Sequence, residues 1–202
     1  MNFLVVGGFL GSGKTSFILR LAHHMIDDLG INKIVILENE IGEIGIDDQV
    51  LRGSGYEVKG MFSGCVCCTM AGELPTNVRT IEQDLNPDWI IMEATGVAFP
   101  QAIKDNLVNA LRMTPRAVCL VDAQRWMRLL RPMEKLLPFQ LKGADVVLIN
   151  KADLVDEETR QAVRESVSQY SGDAELVLCS AKDGIDISVL ERILGMEEPS
   201  HV

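Results

Sequence analysis

A glycine-rich stretch close to the amino terminus has the residue types and spacing of a phosphate-binding loop. Residues 8–15 have the sequence GFLGSGKT and fit the pattern G-x-x-x-x-G-K-[ST]. Glycines let successive backbone N–H groups point at one anion, and a helix that follows adds the positive end of its dipole. Lys14 could then reach the β- and γ-phosphates of a nucleotide, and the Thr15 hydroxyl could coordinate Mg²⁺. A turn that binds nothing is the alternative, but the apolar strand before the loop and the helical pattern after it favour nucleotide binding.

Two polar segments further along the chain indicate which base the nucleotide carries. The first, Asn150-Lys151-Ala152-Asp153, follows the apolar run VVLI. The Asp153 carboxylate can accept hydrogen bonds from the ring N–H and the exocyclic amine of guanine, a donor pair that adenine lacks, and the Lys151 stem can lie along the base. The second, Ser180-Ala181-Lys182, could offer backbone N–H groups to the guanine oxygen. Either segment alone could be a charged loop, but both in this order after the phosphate loop predict GTP.

An acidic residue at the end of another apolar run is placed to hold magnesium. Glu93 closes the run WIIM, where nucleoside triphosphatases carry the acidic residue that binds Mg²⁺, often through water. Gly96, just beyond it, could use its backbone N–H to sense the γ-phosphate. The alternative for Glu93 is a strand-end carboxylate with a purely structural role. The predicted nucleotide-binding residues are Gly8, Gly11, Ser12, Gly13, Lys14, Thr15, Ser16, Gly96, Asn150, Lys151, Asp153, Ser180, Ala181 and Lys182, with Thr15 and Glu93 as the magnesium ligands.

Three of the five cysteines stand within four residues, as Cys65, Cys67 and Cys68. Thiolates are soft ligands that favour Zn²⁺, Cu(I) and related ions, and three of them can converge on one ion. Closed structural zinc sites usually take four ligands from two separated pairs, so a further ligand would come from elsewhere, and Glu38 and Glu43 are the acidic candidates. An incomplete site suits a metal that must leave again. A redox-active pair and small buried side chains stay open as alternatives.

The remaining cysteines and a pair of histidines are predicted to have structural surroundings. Cys119 and Cys179 lie within apolar strands and are expected in the core. His23 and His24 fall on the polar side of the first helical pattern, opposite its apolar stripe, and are expected on a solvated surface. Neither pair is therefore expected to bind a metal ion.

The elements that would position these residues alternate between strand and helix along the chain. Apolar runs predict strands at residues 3–6, 33–37, 56–62, 89–92, 117–121, 145–149 and 175–178, and helical spacing predicts helices at 17–29, 73–85, 99–111, 157–169 and 187–194. Several strands are apolar on both faces, which is typical of a mainly parallel sheet with helices on both faces. Because no repeat, low-complexity tract or linker interrupts the pattern, residues 1–202 are predicted to form a single α/β domain.

The composition limits where such a domain would act. The formal net charge of −10 argues against a nucleic-acid surface, which needs clustered Lys and Arg. No apolar run approaches the roughly 20 residues that span a bilayer, so no membrane partner is expected, and no signal peptide is recognisable. The clustered cysteines do not form the disulfide framework of a secreted domain, so a reducing, cytoplasmic setting is expected.

Taken in order, the motifs resemble those of a known family. The segments GGFLGSGKTS, ENEIGEIGID, GCVCC, IIMEATG and NKAD are similar to those of the CobW-type GTPases, relatives of the UreG and HypB nickel-insertion GTPases. The resemblance implies a P-loop NTPase fold and slow hydrolysis of GTP. The predicted catalytic residues are Lys14, Thr15, Glu93 and Glu43, where Glu43, like Asp47, is a candidate for positioning the attacking water.

The resemblance also implies a cargo and partners. It implies GTP-gated handling of Zn²⁺, Co²⁺ or Ni²⁺ at Cys65, Cys67 and Cys68, with Glu38 or Glu43 nearby, and delivery to a client metalloenzyme or corrinoid protein. Members of the family usually carry a further C-terminal domain, and many carry a histidine-rich tract; neither is expected here. The length is closer to that of UreG and HypB, which work as dimers, so a homodimer is an option. Two other functions stay open: a GTPase that remodels or reactivates a corrinoid enzyme without carrying metal, and a zinc-buffering binding module.

Overall fold

A seven-stranded parallel sheet forms the centre of the computed structural model, which describes residues 1–38, 57–60 and 73–196, with the backbone alone at 38 and 57–60. The strands are β1 (Asn2–Gly8), β2 (Ile34–Glu38), β3 (Glu57–Gly60), β4 (Trp89–Glu93), β5 (Arg116–Asp122), β6 (Val146–Asn150) and β7 (Glu175–Leu178). Their order across the sheet is β3-β2-β4-β1-β5-β6-β7, and each neighbouring pair is parallel. The predicted mainly parallel α/β sheet is confirmed.

Helices cover both faces of this sheet, as predicted. The α-helices are α1 (Lys14–His23), α2 (Glu73–Leu85), α3 (Pro100–Leu111), α4 (Trp126–Leu130), α5 (Leu137–Leu141), α6 (Glu157–Ser168) and α7 (Ile187–Leu194). Alternate residues of β1 enter different core clusters: Leu4 and Val6 pack in the cluster of α1 and α7, whereas Phe3 and Val5 pack in that of α2 and α3. Because side chains alternate along a strand, β1 is buried on both faces.

The parallel arrangement brings several strand ends to one edge of the sheet. Glu93 at the end of β4 is in register with Val6 near the end of β1. Asp122 at the end of β5 is in register with Asn150 at the end of β6. Loops and side chains at the carboxyl ends of neighbouring parallel strands are where open α/β sheets bind ligands.

The first helical segment differs from the expectation in its last turn. α1 ends at His23, and the chain continues as a π-helix over His24–Asp28. His24 comes three residues after Leu21 and seven after Phe17, both fully buried, so helical spacing places it beside the apolar stripe and not opposite it. His24 is only 6% exposed, with Nδ1 2.7 Å from an Asp28 carboxylate oxygen. The prediction of a solvated surface is therefore wrong for His24, whereas His23 is exposed.

The two core cysteines are placed as expected. Cys119 in β5 and Cys179 just after β7 are both buried. Burial raises the pKa of each thiol to about 12, which keeps both protonated at neutral pH and unreactive as metal ligands. Among the described residues, no helix is long and apolar enough to cross a membrane.

Candidate functional site

The phosphate-binding sequence forms the connection between β1 and α1. Gly8 and Gly13 have φ angles of 131° and 100°, which L side chains rarely adopt. A Cβ at Gly8 would collide with the Leu120 carbonyl of β5, and a Cβ at Gly13 would collide with the Asn150 amide. Glycine is therefore required at both ends of the loop by backbone conformation and by close packing.

Lys14, Thr15 and Glu93 form a compact group where α1 begins and β4 ends. The Thr15 hydroxyl lies 3.1 and 3.2 Å from the two carboxylate oxygens of Glu93, and Lys14 Nζ lies 3.9 Å from one of them. Lys14 and Glu93 are only 4% and 7% exposed. A hydroxyl beside a buried carboxylate is a set of hard oxygen donors, so this pair fits Mg²⁺.

Three consecutive carbonyls of the phosphate loop accept hydrogen bonds from side chains on other loops. Arg125 Nη1 donates to Leu10 O at 2.9 Å, Lys151 Nζ donates to Gly11 O at 2.8 Å, and Asn150 Nδ2 donates to Ser12 O at 2.7 Å. A trans peptide places its N–H opposite its C=O, so the following amides of Gly11 and Gly13 point to the other side of the loop. These N–H groups, which point away from the bonded carbonyls, are the donors that an anion needs.

Asn150 connects three of the predicted motifs to one another. While its Nδ2 donates to the phosphate loop, its Oδ1 accepts from the backbone N–H of Lys151 at 2.8 Å and of Ala181 at 2.7 Å. The side chain is buried, at 3% exposure for the residue. The Ala181 amide, one of the backbone groups in the segment predicted to face the guanine oxygen, thus donates to Asn150 in this structure.

The predicted base-recognition segments lie next to each other. Asp153 is exposed in a 3₁₀ turn over Ala152–Leu154, and the Ala152 amide donates to Cys179 O at 3.1 Å, directly before Ser180. Burial raises the pKa of Cys179, and the negative charge of Asp153 raises it further. The Ser180 hydroxyl is 2.9 Å from an Asp183 oxygen and stabilises the turn.

Gly96 lies against the tip of the phosphate loop. A Cβ on Gly96 would collide with Leu10, and its carbonyl accepts a 2.8 Å hydrogen bond from Gln140 Nε2 of α5. Gln140 is 2% exposed and also bonds the Ala98 carbonyl at 3.4 Å. The segment after Glu93 is therefore fixed beside the loop, where its backbone could respond to a phosphate.

Two residues of this edge, Asp122 and Arg125, were not predicted from the sequence. Asp122 is 7% exposed and accepts a 2.7 Å hydrogen bond from Lys151 Nζ, which orients the lysine over the phosphate loop. It directly follows the apolar run CLV, the same signal that identified Glu93 and Asn150. Arg125, whose guanidinium also lies over the Phe9 ring at 5.9 Å, had no comparable signal.

The predicted metal ligands lie outside what the structure describes. Cys65, Cys67, Cys68 and Glu43 fall in residues 39–56 and 61–72, and only the backbone of Glu38 is described. Asp47, the other candidate for positioning the attacking water, also falls in residues 39–56. Within residues 1–38, 57–60 and 73–196, no group of histidine, cysteine and acidic side chains is arranged to hold a metal ion. The metal assignment therefore remains a prediction.

In sequence, the chain is similar to a described family and to characterised relatives. A family model for the CobW/HypB/UreG nucleotide-binding domain matches residues 2–178. A zinc chaperone CobW from Sinorhizobium sp is 30% identical over 230 residues, covering 98% of this chain and 64% of that protein. The zinc chaperone YeiR of Escherichia coli is 32% identical over 180 residues, covering 86% of this chain and 53% of that protein. This chain thus spans roughly half to two thirds of the length of these relatives.

Solved structures show the same fold. The hydrogenase maturation factor HypB from Archaeoglobus fulgidus superposes with a TM-score of 0.68 at 18% identity, covering 97% of this chain and 90% of that one. The Zn(II)-bound YjiA GTPase from E. coli has a TM-score of 0.64 at 21% identity, covering 98% of this chain and 63% of that one. The predicted P-loop NTPase fold is confirmed.

Proposed function

The chain belongs to the CobW/HypB/UreG family of nucleotide-binding domains, and from this we propose that it is a GTP-hydrolysing metallochaperone that delivers a transition metal to a client protein. One observation carries the proposal. β2 ends at Glu38, in register with Glu93, and β3 ends at Gly60, in register with Glu38. β2 and β3 therefore both end at the edge of the sheet that carries the phosphate loop, and Glu43 and the three cysteines follow them in the sequence.

In this proposal, GTP binds at the edge of the sheet that carries the phosphate loop. The outward-turned loop amides and Lys14 bind the phosphates, Asp153 pairs with the guanine edge, and the stem of Lys151 packs along the base. Support comes from the contacts that already connect these parts, since Asn150 joins the phosphate loop to both base-recognition segments. Because hydrogen bonds join these loops, the phosphate-binding and base-binding residues hold fixed positions relative to one another.

Hydrolysis follows from positioning and charge. Lys14 and the loop amides stabilise negative charge on the transferring phosphoryl group, which is the main task of the protein in such reactions. Thr15 and Glu93 would hold Mg²⁺, which when bound neutralises charge on the phosphate oxygens. Glu43 and Asp47 are the candidates for positioning the attacking water, because β2 leads from Glu38 towards them.

We propose that the cargo binds at Cys65, Cys67 and Cys68, with Glu38 or Glu43 adding an oxygen ligand. Such a site accepts Zn²⁺, Co²⁺ or Ni²⁺, and the relatives named zinc chaperones favour zinc. The cysteine segment connects β3 to α2, and α2 leads to β4 and Glu93. Metal affinity and GTP affinity would then be coupled, and each ligand must change the affinity of the other by the same factor.

The proposal includes a protein partner and a setting. Leu10, Val97 and Phe99 are 50%, 46% and 41% exposed beside the phosphate loop, and exposed apolar groups at such a position support contact with a client metalloenzyme, a corrinoid protein or a second copy of the chain. A reducing cytoplasm suits thiolate ligands. We take residues 1–202 as one GTPase domain that acts there without nucleic acid or membrane.

A single-turnover experiment tests whether hydrolysis releases the metal. The reduced protein is loaded with Zn²⁺ and GTP, and phosphate release is followed together with zinc transfer to a chromophoric chelator. We expect zinc transfer to rise at the rate of phosphate release, and zinc to stay bound with a non-hydrolysable GTP analogue, because hydrolysis removes the γ-phosphate contacts that order the loops.

Two cysteine variants make the experiment specific. Replacing Cys65, Cys67 and Cys68 with serine should abolish zinc loading, whereas Cys179→Ala, which changes a buried thiol outside the motif, should preserve it. Zinc that leaves at one rate with GTP and with the analogue would contradict the chaperone proposal and favour a zinc-buffering module. Client activation that survives the triple variant would instead favour a GTPase that remodels a corrinoid enzyme without carrying metal.

A further inference from the structure

Arg20 connects the phosphate-binding helix to the segment assigned to the guanine oxygen. Its Nε donates to Ala181 O at 3.2 Å, and its Nη2 donates to Lys182 O at 2.9 Å. These contacts span a cleft of about 660 Å³ between α1 with its π-helical extension and residues 181–190. The guanidinium thus bridges two walls that a cleft otherwise separates.

The geometry of these bonds determines which amide can face the base. The Ala181 amide is engaged by Asn150 Oδ1, and the Asp183 amide donates to the Ser180 hydroxyl at 3.1 Å. In a trans peptide, the Lys182 N–H lies opposite the Ala181 carbonyl that Arg20 binds. Arg20 therefore turns the Lys182 amide away from its own guanidinium, on the side opposite α1.

Arg20 also belongs to the same rigid element as the phosphate ligands. It lies six residues after Lys14 in α1, a distance of about 9 Å along the helix axis. A planar guanidinium with two donors in fixed geometry restricts two neighbouring carbonyls at once, which a flexible ammonium cannot do. The position of the Lys182 amide is thereby fixed relative to Lys14 and Thr15.

We propose that Arg20 is a positioning residue for base recognition, which holds the Lys182 backbone N–H as the hydrogen-bond donor to the O6 oxygen of guanine. The inference rests on the proposed binding of GTP and deepens it. It assigns O6 recognition to the Lys182 amide and recognition of the N1 and 2-amino groups to Asp153. The two contacts can therefore be changed independently.

The test compares three nucleotides that differ at one group each. GTP has all contacts, inosine triphosphate lacks only the 2-amino group, and 6-thioguanosine triphosphate replaces O6 by a sulfur that accepts hydrogen bonds weakly. Affinities are measured by titration calorimetry in the wild-type chain, Arg20→Ala and Arg20→Lys. Arg116→Ala is the matched control, because Arg116 Nε and Nη2 bond the consecutive carbonyls of Ile193 and Arg192 at the opposite edge of the sheet.

We expect Arg20→Ala to weaken GTP about tenfold and to bring the GTP to 6-thio-GTP affinity ratio close to one, while the GTP to inosine triphosphate ratio stays as in the wild type. Arg20→Lys keeps the positive charge but not the fixed pair of donors. Its affinity ratios should lie between those of the wild type and of Arg20→Ala, and it carries the comparison if the alanine variant does not fold. Arg116→Ala should keep both ratios.

The contrary results are distinct. If both ratios fall together in the Arg20 variants, or if neither changes, Arg20 has only a structural role and the inference is overturned while GTP binding stands. If the wild-type chain binds no guanine nucleotide, the proposed function fails, and this inference fails with it.

Discussion

Replacing Asp153 with asparagine is expected to exchange guanine for xanthine as the preferred base. The carboxylate can accept from both the N1–H and the 2-amino group of guanine, whereas an amide places an N–H opposite that amino group and loses one acceptor. Xanthine carries a carbonyl at this position, which the new N–H can bond. Because unpaired polar groups reject a nucleotide strongly, we expect GTP affinity to fall about 10²–10³-fold and xanthosine triphosphate affinity to rise by a similar factor.

Titration calorimetry with GTP and xanthosine triphosphate measures this exchange. Asp173→Asn changes the charge equally at another exposed acidic residue, which is outside the site, and should leave the preference for GTP as in the wild type. If Asp153→Asn weakens GTP without any gain for xanthosine triphosphate, the carboxylate acts only through the loop, and the assigned base contact is wrong.

Lys14→Ala is expected to remove GTP hydrolysis almost completely. The Lys14 ammonium is 4% exposed at the start of α1, and removing it deletes a fixed positive charge from the site where negative charge develops on the phosphoryl group. Loss of one such preorganised group costs about 10²–10³-fold in kcat. The neighbouring Thr15 and Glu93 stay in place, so the variant should still fold and bind nucleotide more weakly.

Phosphate release under saturating GTP tests this prediction, and Lys135→Ala, at an exposed position after α4, is the control for loss of a positive charge. Lys14→Ala should keep a cooperative thermal unfolding transition, as expected of a folded variant. Hydrolysis by Lys14→Ala at the wild-type rate would show that the phosphate loop is not the catalytic centre.

The elements that position the site were predictable because their signals are local. Apolar runs such as WIIM and VVLI are short, contiguous and bounded by polar groups, so β4 and β6 begin and end close to the predicted residues. The bounds of α2 and α7 coincide with the predictions of 73–85 and 187–194. Parallel pairing then places Glu93, Asp122 and Asn150 at one edge without further information.

The contacts within the site were less predictable, because their partners are far apart in sequence. Asn150 bonds Ser12 and Ala181, which are 138 and 31 residues away, and no local pattern identifies either partner. Arg125 and Arg20 have no distinguishing neighbours in the sequence, because the loop carbonyls that they bond come from other parts of the chain. His24 was predicted on the wrong side because its spacing from Phe17 and Leu21, seven and three residues earlier, places it beside the buried stripe of the helix.

The five cysteines also differ in whether local sequence signals predict their surroundings. Cys119 and Cys179 were placed correctly in the core because their neighbours are apolar, and burial keeps them as thiols. For Cys65, Cys67 and Cys68, the spacing predicts metal binding, but the remaining ligand depends on how the segments after β2 and β3 come together.

The equilibrium affinity for zinc in different nucleotide states tests the central claim most directly. The reduced chain is titrated with Zn²⁺ in competition with a chelator, without nucleotide, with GDP and with a non-hydrolysable GTP analogue. We expect zinc affinity to differ about tenfold or more between the analogue-bound and GDP-bound states. Zinc should in turn change the ratio of analogue affinity to GDP affinity by the same factor. The triple serine variant should bind no zinc. Equal zinc affinity in all three states would contradict the account, because a nucleotide that binds both metal states equally cannot gate the metal.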